Sequence, residues 1–520
     1  MRRFNVTGLC KPEKHYMVDI SEKITKIRAL VDEEHYFTIN RARQYGKTTT
    51  LSLLTKALSN DYTCISLSFE GVGDTMFESS ASFCQNFLIY ISKALESTDK
   101  DFAAAWLDES VTNFILLGFH LDKLCQDRKI VLLIDEVDKT SNNQVFLHFL
   151  GMLRSKYLSR GNGYSFTFHS VILAGVYDIK NIKQKIMSEG KYKPASEEGK
   201  IYNSPWNIAV DFEVDMSFSA IEISSMLREY EVDHDTGMDI NAISEEIYGF
   251  TSGYPYLVSR ICQRIDEKPD KNWTFGGIQN ALKKILDEEN TLFDDIFKNL
   301  ENNKELYDFI YGLLITGETG NFAIDDPIIK LGFIYGFLTK KGNRIFIANK
   351  IFEIRMMNYF ISKDSRTKKK VRGVFRDDVI RDGIFDMELA LRKFAEHYFE
   401  IFGGRNFEFI EDEGRMIFLM YLIPLINGQG FYHVESQLLD LRRMDIVVDF
   451  GRDQFIIELK IWHGTSKHQE AYEQLLGYME SKNASIGYLL TFDFRKEVNK
   501  KRRAEWVDFA GGKRIFDVIL

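Results

Sequence analysis

"KIVLLIDEVDK", residues 129–139, is the stretch that most narrows the fold open to this 520-residue chain. Its five consecutive apolar residues, 130–134, end abruptly in Asp135 and Glu136. An uninterrupted apolar run of that length suits a strand buried on both faces, as in a parallel sheet covered by helices. Such sheets bind ligands at the carboxyl ends of their strands, so the two carboxylates stand where chemistry is expected. The bland alternative is a buried strand running out into a solvated acidic turn. The surroundings favour the first reading. Residues 20–180 alternate helical stretches with short apolar strands, among them "YFTIN" (36–40) and "SVILAGV" (170–176).

After "YFTIN", the segment "RARQYGK" reads as a turn and "TTTLSLLTKAL" (48–58) as a helix. Gly46-Lys47-Thr48 completes the pattern G-x-x-x-x-G-K-[ST], except that Arg41 occupies the first glycine position. A helix amino terminus offers unpaired N–H groups and a partial positive charge, both of which favour phosphate. Lys47 is expected to reach the β- and γ-phosphates and Thr48 to bind Mg²⁺. Asp135 would hold Mg²⁺ through water, and Glu136 would polarise the attacking water. Gly46, Thr49, Arg41 and Arg43 complete the expected nucleotide contacts. The two arginines either touch phosphates or tie the loop to neighbouring acidic groups. A γ-phosphate sensor is expected between Gly175 and Asp178.

Composition sets the outer limits. A chain this long exceeds a single hydrophobic core. Its 41 Phe and 24 Tyr against 7 Pro argue for folded domains. A net charge of −9 confines any nucleic-acid contact to local patches. Cys10, Cys64, Cys84, Cys125 and Cys262 are scattered with no C-x-x-C pair, which suits a reducing cytoplasm and offers no zinc site. The first residues lack a signal-peptide core and no apolar run reaches membrane-spanning length, so a soluble cytoplasmic protein with no membrane partner is expected.

The stretches "HYMVDISEKITKIRALV", "YFTINRARQYGKTTTLSLL" and "VLLIDEVDK" together resemble the AAA-ATPase-like proteins common in bacteria. In that family the first glycine of the loop is characteristically replaced, so the resemblance accounts for Arg41. It extends to "MSFSAIEISSMLREY" (216–230) and "IYGFTSGYPYLVSRIC" (247–262), the latter similar to the Gly-Tyr-Pro segment of a helical lid. Pro255 would open a helix there. Arg260, one turn on, is either a second nucleotide sensor or a surface arginine. The resemblance also implies possible assembly into a homo-oligomer through the ATPase domain.

Residues 301–360 read as a small winged-helix-like module, with an amphipathic helix, a hairpin and a second helix. The stretch 363–381 carries eight Lys/Arg against three Asp without apolar periodicity. It is either a solvated linker or a strap that contacts phosphates. From residue 386 the chain begins again, with helices expected at 386–400 and 411–426. In "RRMDIVVDFGRDQFIIELKIW" (442–462) two apolar runs flank "GRD", the pattern of a hairpin. Asp445 opens the first strand; Glu458 and Lys460, two apart, share a face of the second. Charges buried on a hairpin cost several kcal/mol unless paired or bound to metal. A site in which Asp445 and Glu458 hold Mg²⁺ while Lys460 positions a water or stabilises charge supplies a reason for them. A cross-strand ion pair is the plain alternative.

This arrangement resembles the PD-(D/E)xK phosphodiesterase superfamily, although Met444 replaces the proline of its Pro-Asp pair. The resemblance implies a helical glutamate before the hairpin, for which Glu413 is the first choice and Glu411 and Glu435 are rivals. Gln474 and Tyr478, four apart on one helical face, match an accessory Gln-x-x-x-Tyr motif of the nuclease domains appended to such ATPases. The basic stretch 495–503 is either a solvated helix end or a patch that steers phosphates. The expected fold class is α/β. The expected parts are a parallel-sheet ATPase core (1–215), a helical lid (216–300), the winged-helix-like module (301–362), a basic linker (363–385) and a restriction-endonuclease-like domain (386–520). The expected function is an ATP-dependent protein controlling a Mg²⁺-dependent nuclease, with DNA the first substrate considered. The alternative is a regulatory or signalling ATPase whose nuclease-like domain binds nucleic acid or a partner without cleaving.

Overall fold

In the computed structural model, the segments predicted as strands at residues 36–40, 130–134 and 170–176 pair edge to edge. The structure describes every residue except 1, 140–142, 161–162, 164, 177–204, 317–322, 324, 368–378, 382, 403–417, 420, 424, 427–429, 434–445 and 494–502. The chain divides into two compact units. The first comprises residues 1–248, 252–263 and 334–336; the second comprises 249–251, 264–333 and 337–520.

The first unit is built on β1 (Phe37–Asn40), β2 (Thr63–Ser68), β3 (Ile130–Asp135) and β4 (Ser170–Gly175), all parallel, in the order β1-β4-β3-β2. Every residue of β3 and β4 is buried, which is why their sequences run apolar without alternation. Side chains still alternate between two cores. Val131 and Leu133 join Ile39, Ile172, Leu51 and Leu54 on one face. Ile130, Leu132 and Ile134 join Ile65, Leu173, Phe83, Phe87 and Phe149 on the other. The phenylalanines there contact ring to ring, with Phe149 4.9 Å from both Phe83 and Phe87. Helix α1 (Lys47–Leu58) follows β1 and buries Leu51, Leu54 and Leu58 against the sheet. Further on, α2 (Pro255–Asp266) begins at the proline, as the sequence predicts.

The second unit opens with a run of helices. After them come a hairpin of β5 (Leu338–Lys341) and β6 (Arg344–Ile347) and the helix α3 (Lys350–Thr367). Residues 363–367 of the basic stretch therefore finish a helix, and β7 (Ile380–Arg381) pairs with β8 (Ile384–Phe385) near its end. After α4 (Met387–Phe402), a mixed six-stranded sheet runs β13-β14-β12-β11-β10-β9. Its strands are β9 (Gly430–His433), β10 (Ile446–Phe450), β11 (Asp453–Ile461), β12 (Ile486–Phe492), β13 (Arg503–Asp508) and β14 (Arg514–Ile519). The predicted hairpin is β10–β11, turning at Gly451 with φ 61°. Of the basic stretch 495–503, residues 495–502 lie outside the described residues, and from Arg503 to Asp508 the chain is strand. Antiparallel pairing with β14 along the whole of β13 decides it, and the crowd of neighbouring Lys and Arg hid the short Ala504/Trp506 alternation.

Helix α5 (Thr465–Ser481) links the parallel strands β11 and β12 and packs Ala471, Leu475 and Met479 on Ile456, Leu489 and Ile515. A polar knot fastens its first turns to the sheet. Asp517 on β14 is 0% exposed, and its Oδ2 lies 2.7 Å from the Tyr472 hydroxyl that donates to it and 2.9 Å from His468 Nε2. The Arg503 guanidinium from β13 donates to the same oxygen. Removing one partner of such a buried cluster strands the remaining charges, so Asp517→Ala is expected to destabilise this sheet by about 3 kcal/mol. A lower melting temperature for the full chain, against an unchanged one for Arg514→Ala at the exposed end of β14, is the measurement.

Candidate functional site

The parallel strands of the first unit deliver the ends of β1, β3 and β4 to one edge of the sheet. The loop between β1 and α1 turns through two left-handed residues, Gln44 (φ 56°) and Gly46 (φ 78°). A side chain at position 46 would meet no neighbour, so the backbone angle is what calls for glycine there. Gly46 is also the residue before the helix, and it supplies no side chain to cap the first turn. The N–H groups of that turn face the loop, as an anion site requires.

Lys47 is 7% exposed and its ammonium curls back to donate to the carbonyls of Arg41 and Ala42, both at 2.9 Å. Burial pushes its pKa below the ordinary lysine value, opposed by the carboxylates of Asp138, Glu136 and Asp135 in that order. The hydroxyl of Thr48 donates to Asp135 Oδ2 at 2.6 Å. The Glu136 N–H donates to the other oxygen, Oδ1, at 2.9 Å. Glu136 itself holds φ 56°, an uncommon angle for a side-chain-bearing residue and one that clusters at functional sites. Burial, then the charge of Asp135, raises its carboxyl pKa. A hydroxyl and a carboxylate already in contact make a hard-oxygen donor pair of the kind Mg²⁺ takes, so Thr48 and Asp135 fit that ion.

The arginines of the loop do different work. The Arg41 guanidinium donates to the carbonyls of Asn40 and Val214 at 3.0 and 2.9 Å and lies 5.2 Å from the centre of the Phe212 ring. It is tied to carbonyls and an aromatic face. Arg43 is exposed, and its carbonyl accepts from the Tyr254 hydroxyl at 2.5 Å. Tyr45 packs edge-on against Tyr254 and bonds Ser217 at 2.8 Å. These tyrosines, which the sequence reading passed over, lock the loop to the segment just before α2. Thr49 accepts from the Cys10 N–H at 3.2 Å, and Arg260 donates to Gln263 on its own helix at 2.7 Å. Val176, past β4, gives its N–H to Asp138 Oδ2 at 2.5 Å, while Asp178 lies outside the described residues.

In the second unit, Glu458 and Lys460 project from the same face of β11 and form an ion pair at 2.7 Å. Glu458 is 1% exposed. Their cross-strand neighbours on β12 are Leu489 and Thr491. Tyr478 is buried in the cluster beneath α5, and Gln474 on the same helix is half-buried. Asp445, Glu411, Glu413 and Glu435 lie outside the described residues. Among the described residues, no three His, Cys, Asp or Glu side chains converge as metal ligands. No helix among them is long and apolar enough to cross a membrane.

A parallel sheet in this order, with a lysine-bearing loop facing an Asp-Glu pair, defines a P-loop ATPase fold. The chain belongs to the AAA-like domain family, whose profile matches residues 14–353, and residues 431–503 match the PD-(D/E)XK nuclease superfamily. Among curated proteins, none matches. Solved structures similar to the chain include the Walker-type ATPase of Pyrococcus abyssi, at 13% identity and a TM-score of 0.47, with 68% of this chain and 99% of that one covered. The ORC1 protein of Aeropyrum pernix, solved in complex with DNA, is similar at 10% identity and 0.29, covering 67% and 94%. The ORC2 protein of the same organism follows at 10% and 0.35, covering 69% and 97%. These likenesses are remote.

Arg41→Ala removes two hydrogen bonds from a charged donor and a ring contact. The expected result is a loss of about 2 kcal/mol of stability in the nucleotide-free protein, with ATP affinity held within about threefold, a change under 1 kcal/mol. Thermal unfolding and nucleotide titration of the same variant measure the two.

Proposed function

We propose that this chain binds and hydrolyses ATP and uses that cycle to control a Mg²⁺-dependent nuclease domain that cleaves nucleic acid, with DNA as the substrate of first choice. The observation that carries the nuclease half is the pairing of Glu458, almost fully buried, with Lys460 two residues along the same strand. Burying a carboxylate beside an ammonium on a sheet face is costly, and metal binding at that carboxylate would supply a reason for it. In the hydrolytic reading, Glu458 with Asp445 would hold the metal, which supplies Lewis acidity at the scissile phosphate. Lys460 would place a water or stabilise charge on the phosphate oxygens. Glu413 would complete the set, with Gln474 and Tyr478 orienting the substrate.

In the ATPase half, Lys47 and the N–H groups of the first turn of α1 would bind phosphates, with Gly46 allowing their close approach. Thr48 and Asp135 would hold Mg²⁺, and Glu136 would polarise the attacking water and accept its proton as the water oxygen bonds to the γ-phosphorus and the bond from that phosphorus to the β–γ bridging oxygen breaks, releasing ADP. The raised pKa of Glu136 suits a base. Arg43, Thr49 and Arg260 would adjoin the nucleotide, and Arg41 would brace the loop. The working domain boundaries are 1–215, 216–300, 301–362, 363–385 and 386–520. The reading includes a cytoplasmic setting and assembly of like subunits through the ATPase part.

Plasmid DNA incubated with the protein and Mg²⁺, with and without ATP, tests this directly. Wild type is expected to cleave, and Lys460→Ala to lose at least a hundredfold in rate, a typical cost of removing one charge-stabilising group. Lys47→Ala should abolish ATP turnover and the nucleotide dependence of cleavage together. Wild type that cuts nothing under any nucleotide or metal condition would favour a signalling ATPase whose second domain only binds.

A further inference from the structure

The chain returns to the first unit for three residues, Ile334–Gly336, with Phe333 and Phe337 on either side belonging to the second. These three form the turn between the helix Pro327–Ile334 and β5. Gly336 holds φ 70°. A Cβ there would stand 2.8 Å from the Cβ of Ala42, closer than real side chains approach, and 3.9 Å from Cε2 of Tyr254. Ala42 is a buried residue of the phosphate loop, and Tyr254 bonds that loop at the Arg43 carbonyl. Glycine at 336 therefore serves two needs, a left-handed backbone angle and a close seat on the loop.

The turn is stiff at its base. The Phe337 N–H donates to the Gly332 carbonyl at 2.9 Å, and Gly332 leaves room for the Leu338 side chain, which a Cβ there would strike. The Phe337 carbonyl in turn accepts the Ala348 N–H at 2.8 Å. A displacement of Gly336 is thus carried into the start of β5. Ala42, for its part, is held from two sides. Its carbonyl accepts from the Lys47 ammonium at 2.9 Å, and its methyl group faces Gly336. Lys47 gives two of its three N–H donors to the carbonyls of Arg41 and Ala42, so a phosphate that recruits this ammonium loosens the Ala42 peptide.

We propose that the turn Ile334–Gly336 is a detent on the phosphate loop: seated on Ala42, it holds the loop in its nucleotide-free form, and nucleotide binding unseats it. This rests on the ATP-binding reading of the site and adds the route by which occupancy is passed on. With the Ala42 carbonyl released by Lys47, the Ala42 peptide shifts. Its methyl group cannot move towards Gly336 without lifting the turn, because the two are already in contact. The lifted turn draws on its tied base, and the β5–β6 hairpin registers the change. The coupling is reciprocal, so a substitution that lifts the turn raises nucleotide affinity.

Moving the methyl group from one side of the contact to the other tests this, with ATP affinity read by equilibrium titration of the full chain in Mg²⁺. Gly336→Ala is expected to raise affinity about tenfold, a usual size for coupling between two sites. Gly342→Ala, at a left-handed glycine of the β5–β6 turn where a Cβ meets nothing within 4 Å, carries the backbone strain alone and should leave affinity unchanged. The double variant Ala42→Gly/Gly336→Ala should return to within about threefold of wild type, a difference under 1 kcal/mol, with Ala42→Gly alone completing the cycle. Affinity unchanged or lowered in Gly336→Ala, an equal rise in Gly342→Ala, or effects at 42 and 336 that simply add would each overturn the detent. A second measurement needs no variant to fold: ATP should speed amide hydrogen exchange over residues 334–338 of wild type, and exchange that stays the same or slows overturns the detent as well. Wild type that binds no ATP overturns the ATP reading itself, and this inference with it.

Discussion

Central parallel strands buried on both faces, β3 and β4, leave their ends as the place for charged groups, and the nucleotide site follows from that constraint. Within β3, every position but the last is apolar because both faces are covered, and Asp135, still buried, ends the strand where the Thr48 hydroxyl and the Glu136 N–H meet its carboxylate. The parallel pairing of β1, β4 and β3 brings three such ends to one edge. Lys47, Asp135, Glu136, Asp138 and Val176 meet there although they span well over a hundred residues of sequence. The resulting cluster is mutually constraining. Thr48 and the Glu136 N–H divide the two oxygens of Asp135, Lys47 is held by loop carbonyls, and Asp138 ties down the end of β4. Asp138, Glu136 and Asp135 favour the charged form of the buried Lys47 ammonium, and the Thr48 hydroxyl in contact with Asp135 suits a divalent cation as a companion to the phosphates.

The second unit solves a different problem. Its sheet carries charge on a face that a helix covers, so each charge there needs a partner. Glu458 has Lys460, and Asp517 gathers His468, Tyr472 and Arg503. The Asp517 knot secures the start of α5, the helix that also bears Gln474 and Tyr478. Positioning of that helix over the β11 face thus depends on a carboxylate two strands away on the same face. A polar group used for anchorage and a polar pair suited to chemistry lie on one surface, and burial alone does not tell them apart.

Much of this was legible in the residues. The runs at 130–134 and 170–176 declare buried strands because no other element of that length stays apolar on both sides. Gly46-Lys47-Thr48 marks a loop entering a helix, since the glycine takes a left-handed angle and the helix starts one residue later. The β10–β11 hairpin follows from two apolar runs around "GRD". The partners of Arg41 have no local signal: its guanidinium reaches Val214 and Phe212, more than 170 residues away in sequence. Tyr254 and Ser217 engage the loop from equally distant segments. Strand β13 escaped notice because its pairing with β14 outweighs a local composition dominated by charge.

By itself, the sequence determined the buried strands at 36–40, 130–134 and 170–176 and the hairpin around "GRD", where the loop turns, and which side chains carry charge into apolar surroundings. These are local properties, set by backbone periodicity and by the cost of burying a charge. Which partner each charge finds was decided by the tertiary structure alone. Hydrogen bonds such as Asp138 to Val176, or Asp517 to Tyr472, close over long stretches of chain and leave no spacing signal behind. Glycine at 175 is the clearest case. Nothing in "SVILAGV" demands it, and the reason for it is a carboxylate that the fold delivers from the turn after β3 to within 3.0 Å of where a Cβ would stand.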